Sequence, residues 1–237
     1  MWPDLTERRR EPEWMDDPSL PAADHDAALR GLARLNRFAW SSRILWPRLE
    51  RLARRANSAG RALQVLDVAT GSGDLPLAMA ARARRRRLDI GWTLCDISAH
   101  ALAHARARAA ATGVAVTTVT LDAVADPLPA TDVATCSLFV HHLDPPQVVA
   151  LLGAMRRAAR CAVGIADLDR SRLGFSLAWL ASRSLTRSPI VHADALLSVR
   201  AAFTADELAG FADSAGLHGA EIDSAWPARW RLWWDAP

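Results

Sequence analysis

Beyond residue 61 the chain alternates short, nearly continuous apolar runs with segments whose apolar positions recur at helical spacing. The runs are "ALQVLDVA" (62–69), "GWTLCDI" (91–97), "VAVTTVTL" (114–121), "DVATCSLFV" (132–140) and "CAVGIADL" (161–168). Between them the spacing predicts helices from about Leu75 to Arg86, from a Ser98 cap to about Ala111, and from Pro145 to about Ala159. Strands that are apolar along their whole length are covered on both faces, so the alternation predicts a parallel sheet between two layers of helices. After the fifth run the regularity breaks. "LGFSLAWLASRSL" reads as an apolar helix and "TRSPIVHADALLSVR" follows it. Thr204 then opens a helix to about Gly216, with Asp206 and Glu207 in its first turn. "HGAEIDSAWP" and "RWRLWWDAP" read as two final, antiparallel strands.

The predicted fold class is α/β, a doubly wound and mostly parallel sheet of seven strands with an antiparallel last strand. Upstream, residues 1–20 are polar and hold Pro3, Pro12 and Pro18, which marks an irregular arm. Ala28, Leu32, Leu35 and Phe38, then Ile44, Leu45, Leu49 and Leu52, predict two helices broken near Ser41–Ser42. Residues 1–60 are read as arm and helical cap, and 61–237 as the sheet domain with a helical insertion at about 170–200.

Composition narrows the function classes. At 51% hydrophobic, 237 residues suffice for one sizeable core. The net charge of +3 comes without lysine and without a basic stripe, which argues against a nucleic-acid partner. The densest run, "RARRRR" at 82–87, falls at a predicted helix end, where cations suit the macrodipole. Cys95, Cys136 and Cys161 are odd in number, sit in predicted strands and lack metal-ligand spacing, as expected of small buried hydrophobes in a reducing cytosol. The N-terminus shows no apolar signal region and no run reaches 18 apolar residues, so the expectation is cytoplasmic, with no membrane insertion. Oligomeric state stays open.

The chemistry concentrates at "VLDVATGSGDLP" (65–76), a strand closing on a glycine turn that feeds a helix. Glycines at such a turn let a ligand approach the backbone beyond the strand ends. A nicotinamide or flavin dinucleotide would present a pyrophosphate to the helix N-terminus. Asp67 and Asp74 flank the turn, however, and each close carboxylate–phosphate pair costs about 1 kcal/mol even in water. A cationic ligand without phosphate reverses that balance. The bland alternative is that both carboxylates only cap the turn.

Here the sequence resembles the class I S-adenosylmethionine-dependent methyltransferases, whose first motif is an acid followed by spaced glycines, as in "LDVATGSGD". Ala69 stands where many members carry the first glycine. The resemblance covers roughly 61–168 and is greatest for quinone-biosynthesis and related small-molecule enzymes. It implies a Rossmann-like fold and S-adenosylmethionine as cofactor. It implies cofactor contacts at Asp67, Ala69, Gly71, Gly73 and Ser137, at Asp96 and Ile97 after the second strand, and at Asp122 and Ala123 after the third. "PLP" before the fourth strand and "SLFVHHL" at its end fit the same group.

An acidic acceptor needs a base, and histidine titrates near neutrality. His141 and His142 lie just past the fourth strand, and His192 could reach the same cleft; each could equally be a lining residue. Asp167, near the end of the fifth strand, is a further acceptor-side candidate, and no metal is expected with these histidines. "DPPQ" (144–147) looks like the motif of amino-directed DNA methyltransferases, but it comes late and ends in Gln147, so a helix cap explains it. Arg37, Phe38 and Trp40 in the cap, with Phe175 and Trp179 in the insertion, favour a hydrophobic aromatic or polyketide-like acceptor, methylated at oxygen rather than carbon. The 173–185 helix could touch a membrane surface weakly. The competing readings are a nucleotide-dependent oxidoreductase and a non-catalytic module that binds the same cofactor.

Overall fold

A computed structural model describes residues 3–16, 20–21, 27–28, 30–31, 34–35 and 42–237. The described residues between 27 and 35 are helical; Arg37, Phe38 and Trp40 lie outside the described residues. From there the chain forms α1 (Ser42–Ser58), β1 (Leu63–Val68), α2 (Asp74–Arg85), β2 (Ile90–Asp96), α3 (Ala99–Thr112), β3 (Thr117–Thr120) and β4 (Thr131–Ser137). A 3₁₀ turn (Val140–His142) leads to α4 (Pro145–Ala158) and β5 (Ala159–Leu168). Then come α5 (Arg172–Leu185), α6 (Pro189–Ala201), α7 (Ala205–Ser214), β6 (Glu221–Ala225) and β7 (Arg229–Asp235).

The seven strands make one sheet in the order β3-β2-β1-β4-β5-β7-β6. β1 to β5 pair in parallel, and β7 runs antiparallel to both β5 and the edge strand β6. The order reverses between β1 and β4, and the C-terminal edge beside that reversal is where such sheets bind ligands. Side-chain alternation divides the core. In β1, Leu63 and Val65 face α1 and α2, while Leu66 and Val68 face the layer that holds α4 and α7. Through Ile44, Leu45, Trp46, Leu49 and Ala53, α1 packs against Val65, Val133 and Ala162 of the sheet, so this helix is a layer of the fold rather than a cap over the ligand edge.

Local signals explain most helix ends. The Ser98 hydroxyl accepts from Ala101 N–H and caps α3. Thr204 and Glu207 form a reciprocal capping box on α7. Gln147 accepts from the Asp144 N–H (2.9 Å) at the start of α4, which gives "DPPQ" its structural reason. One expected boundary is wrong. β4 stops at Ser137, because Leu138 takes a left-handed conformation (φ 56°) and sends its N–H to Ala166 O. The apolar run continues to residue 140 only because Phe139 and Val140 pack on the core. Cys95 and Cys136 are fully buried in β2 and β4. Among the described residues no helix is long and apolar enough to cross a membrane.

Candidate active site

The glycine turn leaves β1 through three left-handed residues: Ala69 (φ 53°), Gly71 (φ 54°) and Gly73 (φ 73°). The two glycines serve different purposes. A Cβ on Gly73 would sit 3.2 Å from Ala105 Cβ, so this glycine lets α2 and α3 approach. A Cβ on Gly71 would meet nothing within 4 Å, and Gly71 borders a large cavity, so this glycine keeps backbone exposed to a ligand. Asp96 fastens the turn from the end of β2, accepting from Gly71 N–H (2.8 Å) and Ser98 N–H (2.9 Å). It forms no ion pair among the described residues.

The two flanking aspartates divide differently from the sequence expectation. Asp74 is neutralised by Arg108 at 2.6 Å. Asp67 is 3% exposed and lies beneath the turn, outside the cavity lining, where it accepts from the Thr135 (2.7 Å) and Thr70 (2.9 Å) hydroxyls. Burial pushes its carboxyl up to about 6, and the charge of Asp96 adds to this. Asp122, after β3, accepts from Val124 N–H (2.9 Å) and shapes the next turn, with Ala123 buried beside it. Ile97 is 69% exposed and Ser137 lines the cavity at the end of β4.

Past β4 the 3₁₀ turn delivers both histidines to the same edge, and both line the cavity. His141 is buried, with Nδ1 2.6 Å from Asp167 Oδ1. Asp167 is itself fully buried and accepts from the N–H groups of Phe139, His141 and Leu168. Burial would lower the His141 pKa, but the charge and hydrogen bond of Asp167 outweigh it and raise it. Burial likewise works to raise Asp167, and His141 with the Leu168 N–H holds it below the ordinary carboxylate value. His142, ring centroid 4.2 Å from that of His141, is pushed down to about 3 by burial and by its neighbour's charge. His192 is not among the cavity residues; its Nε2 lies 2.9 Å from Thr186 O, at the end of α5.

The N-terminal arm, expected to be irregular, straps across this edge. Arg8 Nη2 donates to His141 O (2.9 Å) and Leu143 O (2.8 Å), its Nε donates to Ala201 O, and its guanidinium stacks on Phe203 at 4.0 Å. Arg10 donates to His142 O (2.6 Å). Asp194 of α6 accepts from the N–H groups of Trp14 and Met15, and Ser198 bonds Glu13. Glu13 thereby reaches the histidines, where one donor atom from each of the three residues falls within 4.8 Å of the others. The sequence offers no such set, because Glu13 lies far from residue 141 in the chain. Its donor types suit a divalent cation, and the charges around it are mixed, with Asp167 and Glu13 opposed by Arg8 and Arg10.

The cavity holds about 1130 Å³ between the glycine turn, the histidines, α5, α6 and the turn before β7. Its insertion wall is supplied by Leu177, Ala181 and Leu185, not by Phe175 or Trp179. Leu173 and Trp179 are instead exposed on the outer face of α5. Arg229 of β7 also lines the cavity, and nothing in the sequence singled it out.

Residues 65–161 match the family model described as a methyltransferase domain, a span from within β1 to the start of β5 that holds the glycine turn, Asp96 and Asp122. No curated protein matches the chain in sequence. Among solved structures, the plantazolicin methyltransferase BamL, crystallised with a desmethyl substrate analogue and S-adenosylhomocysteine (SAH), is similar at 18% identity and TM-score 0.61, over 87% of this chain and 90% of that one. Magnesium protoporphyrin IX methyltransferase (ChlM) from Synechocystis PCC 6803 with bound SAH gives 12% and 0.53, over 93% and 90%. The CMeT domain of the citrinin polyketide synthase gives 16% and 0.55, over 74% and 46%. These likenesses carry the fold, and the matched segment carries the cofactor motifs. The matched segment, with its glycine turn open at Gly71 and the acid at the end of β2, is a methyltransferase domain within this chain, and S-adenosylmethionine is its cofactor.

Proposed function

We propose that the chain methylates an acidic hydroxyl of a small, largely apolar acceptor, of the aromatic or polyketide-like kind, at oxygen rather than carbon. The observation that carries this reading is the buried His141–Asp167 pair on the cavity wall. When bound, S-adenosylmethionine supplies a methyl group activated by its sulfonium. Ala69, Gly71, Asp96, Ile97, Asp122, Ala123 and Ser137 are assigned to holding the cofactor, with Asp67 and Gly73 shaping the turn beneath it. Asp167 accepts the Nδ1 proton of His141 and fixes the tautomer whose Nε2 takes the acceptor's proton. The oxygen so deprotonated would be the nucleophile for the methyl group that the bound cofactor would supply, with the sulfur as leaving group. His142, held neutral, lines the path and adds no competing charge. A volume of about 1130 Å³ exceeds the roughly 300–1,000 Å³ usual for one small ligand, which favours cofactor and acceptor together.

The test is methyl transfer from labelled S-adenosylmethionine into a panel of phenols and hydroxyquinones, with product identification. His141→Ala should lower kcat by about 10²–10⁴-fold and leave SAH affinity intact. Activity should rise with pH through a midpoint above 6.5, the side to which Asp167 moves His141. Undiminished turnover in the variant, or methyl on carbon in the product, would overturn the reading.

A further inference from the structure

Three buried side-chain N–H groups lack a hydrogen-bond partner among the described residues: Arg200 Nε, Arg229 Nε and Trp230 Nε1. Only Arg229 also lines the cavity. Arg200 is paired with Glu11 at 2.9 Å, and Trp230 is a neutral indole in the core. Arg229 is 8% exposed, and its guanidinium makes one hydrogen bond, Nη1 to Pro227 O at 3.2 Å. Among the described residues no carboxylate lies within ion-pair distance of it. The carboxylate among these residues whose charge acts on Arg229 is Asp167, and its oxygens are already committed to His141 and three backbone N–H groups. Burial lowers the Arg229 pKa only to about 10, so the group stays cationic near neutrality.

A buried cation with no direct ion-pair partner is costly to the fold and persists where something outside the fold completes it. The register of the sheet says which side of the cavity that is. Arg229 pairs with Leu168 at the end of β5, on the far side of β4 from the glycine turn and Asp96. We propose that Arg229 is a specificity determinant that receives an anionic oxygen of the acceptor, so that the natural acceptor carries a carboxylate in addition to its reacting hydroxyl. This rests on the methyltransferase reading above and gives the acceptor its charge. A largely apolar cavity wall with a buried guanidinium short of hydrogen-bond partners suits an amphiphilic acid, with carboxylate against Arg229 and hydrocarbon along α5. The other source of the same chemistry is the amino-acid carboxylate of the cofactor, and the experiment separates the two.

The probes are alkyl-substituted dihydroxybenzoic acids and their carboxamides, titrated calorimetrically into the full chain saturated with SAH, for wild type and Arg229→Met. The expected result is that wild type binds the acids at least tenfold more tightly than the amides, and that Arg229→Met abolishes the preference with SAH affinity unchanged. Arg229→Lys should retain part of it. Without ligands, Arg229→Met should raise Tm, because an unpartnered buried charge is replaced by a side chain of similar reach; a scaffolding arginine would show a fall. Equal affinity for acids and amides, failure of every acid to bind, or a preference that survives in Arg229→Met would overturn the proposal. A matching loss of SAH affinity would assign the guanidinium to the cofactor instead. Failure of SAH to bind wild type would overturn the methyltransferase reading itself.

Discussion

Replacing Asp67 with asparagine should make the protein more stable at neutral pH and not at acid pH. The carboxyl is fully enclosed under the glycine turn, and burial holds its pKa at about 6 against an ordinary 3.8. A difference near two pKa units at about 1.4 kcal/mol each amounts to about 3 kcal/mol. The sign follows from which state holds the proton. Below pH 4 both folded and unfolded chains carry it and Asp67 costs nothing. Between pH 4 and 6 the unfolded chain ionises first, so the folded state loses relative stability, and above pH 6 the full cost is present. Asparagine keeps the shape, and the Thr70 and Thr135 hydroxyls can turn to meet its amide. Urea unfolding of both proteins from pH 4 to 7.5 reads the effect. The gap in favour of Asp67→Asn should widen by about 2.5 kcal/mol over that range, and titrations elsewhere cancel in the difference. A gap that stays constant or narrows would refute the reasoning. The same variant should bind S-adenosylmethionine less well while SAH affinity changes little, since only the former carries the sulfonium charge.

Two further substitutions test the frame around the site. Ala69→Gly should stabilise by about 0.5–1 kcal/mol in urea unfolding, because Ala69 occupies a left-handed conformation (φ 53°) that glycine adopts without strain. Gly164→Ala should destabilise by about 1–3 kcal/mol, because its Cβ would fall 2.5 Å from the Trp233 ring packed over β5. Trp233 is 3% exposed and would have to shift within the core, so a neutral result would count against that packing.

What was legible in the sequence is what neighbouring residues decide. Ser98, Thr204 with Glu207, and Gln147 act within a few positions, so their helices begin where local chemistry places them. The apolar runs gave the parallel strands for the same reason. At 138–140 the rule failed, because apolar residues in a turn that packs on the core look like strand residues. The carboxylates at the glycine turn were visible as types, but their surroundings were not. Asp67 was expected to meet the cofactor and is enclosed under the turn, since Thr135 reaches it from β4. His141 was visible, but its pairing with Asp167 depends on the β4–β5 register. Glu13 and Arg229 were invisible because each is defined by contacts more than 50 residues distant in the chain.

The strap formed by Arg8 and Arg10 grips main-chain carbonyls of residues 141–143, not their side chains. Peptide oxygens are present whatever amino acid occupies a position, so the closure tolerates any residue that keeps the 3₁₀ turn. Changing the histidines to alter the reaction therefore leaves the fastening in place, and changing the arginines to loosen the fastening leaves the histidine side chains in place. Closure and chemistry thus use different atoms in this protein, and the link that remains between them is the charge of the arginines acting on the imidazoles.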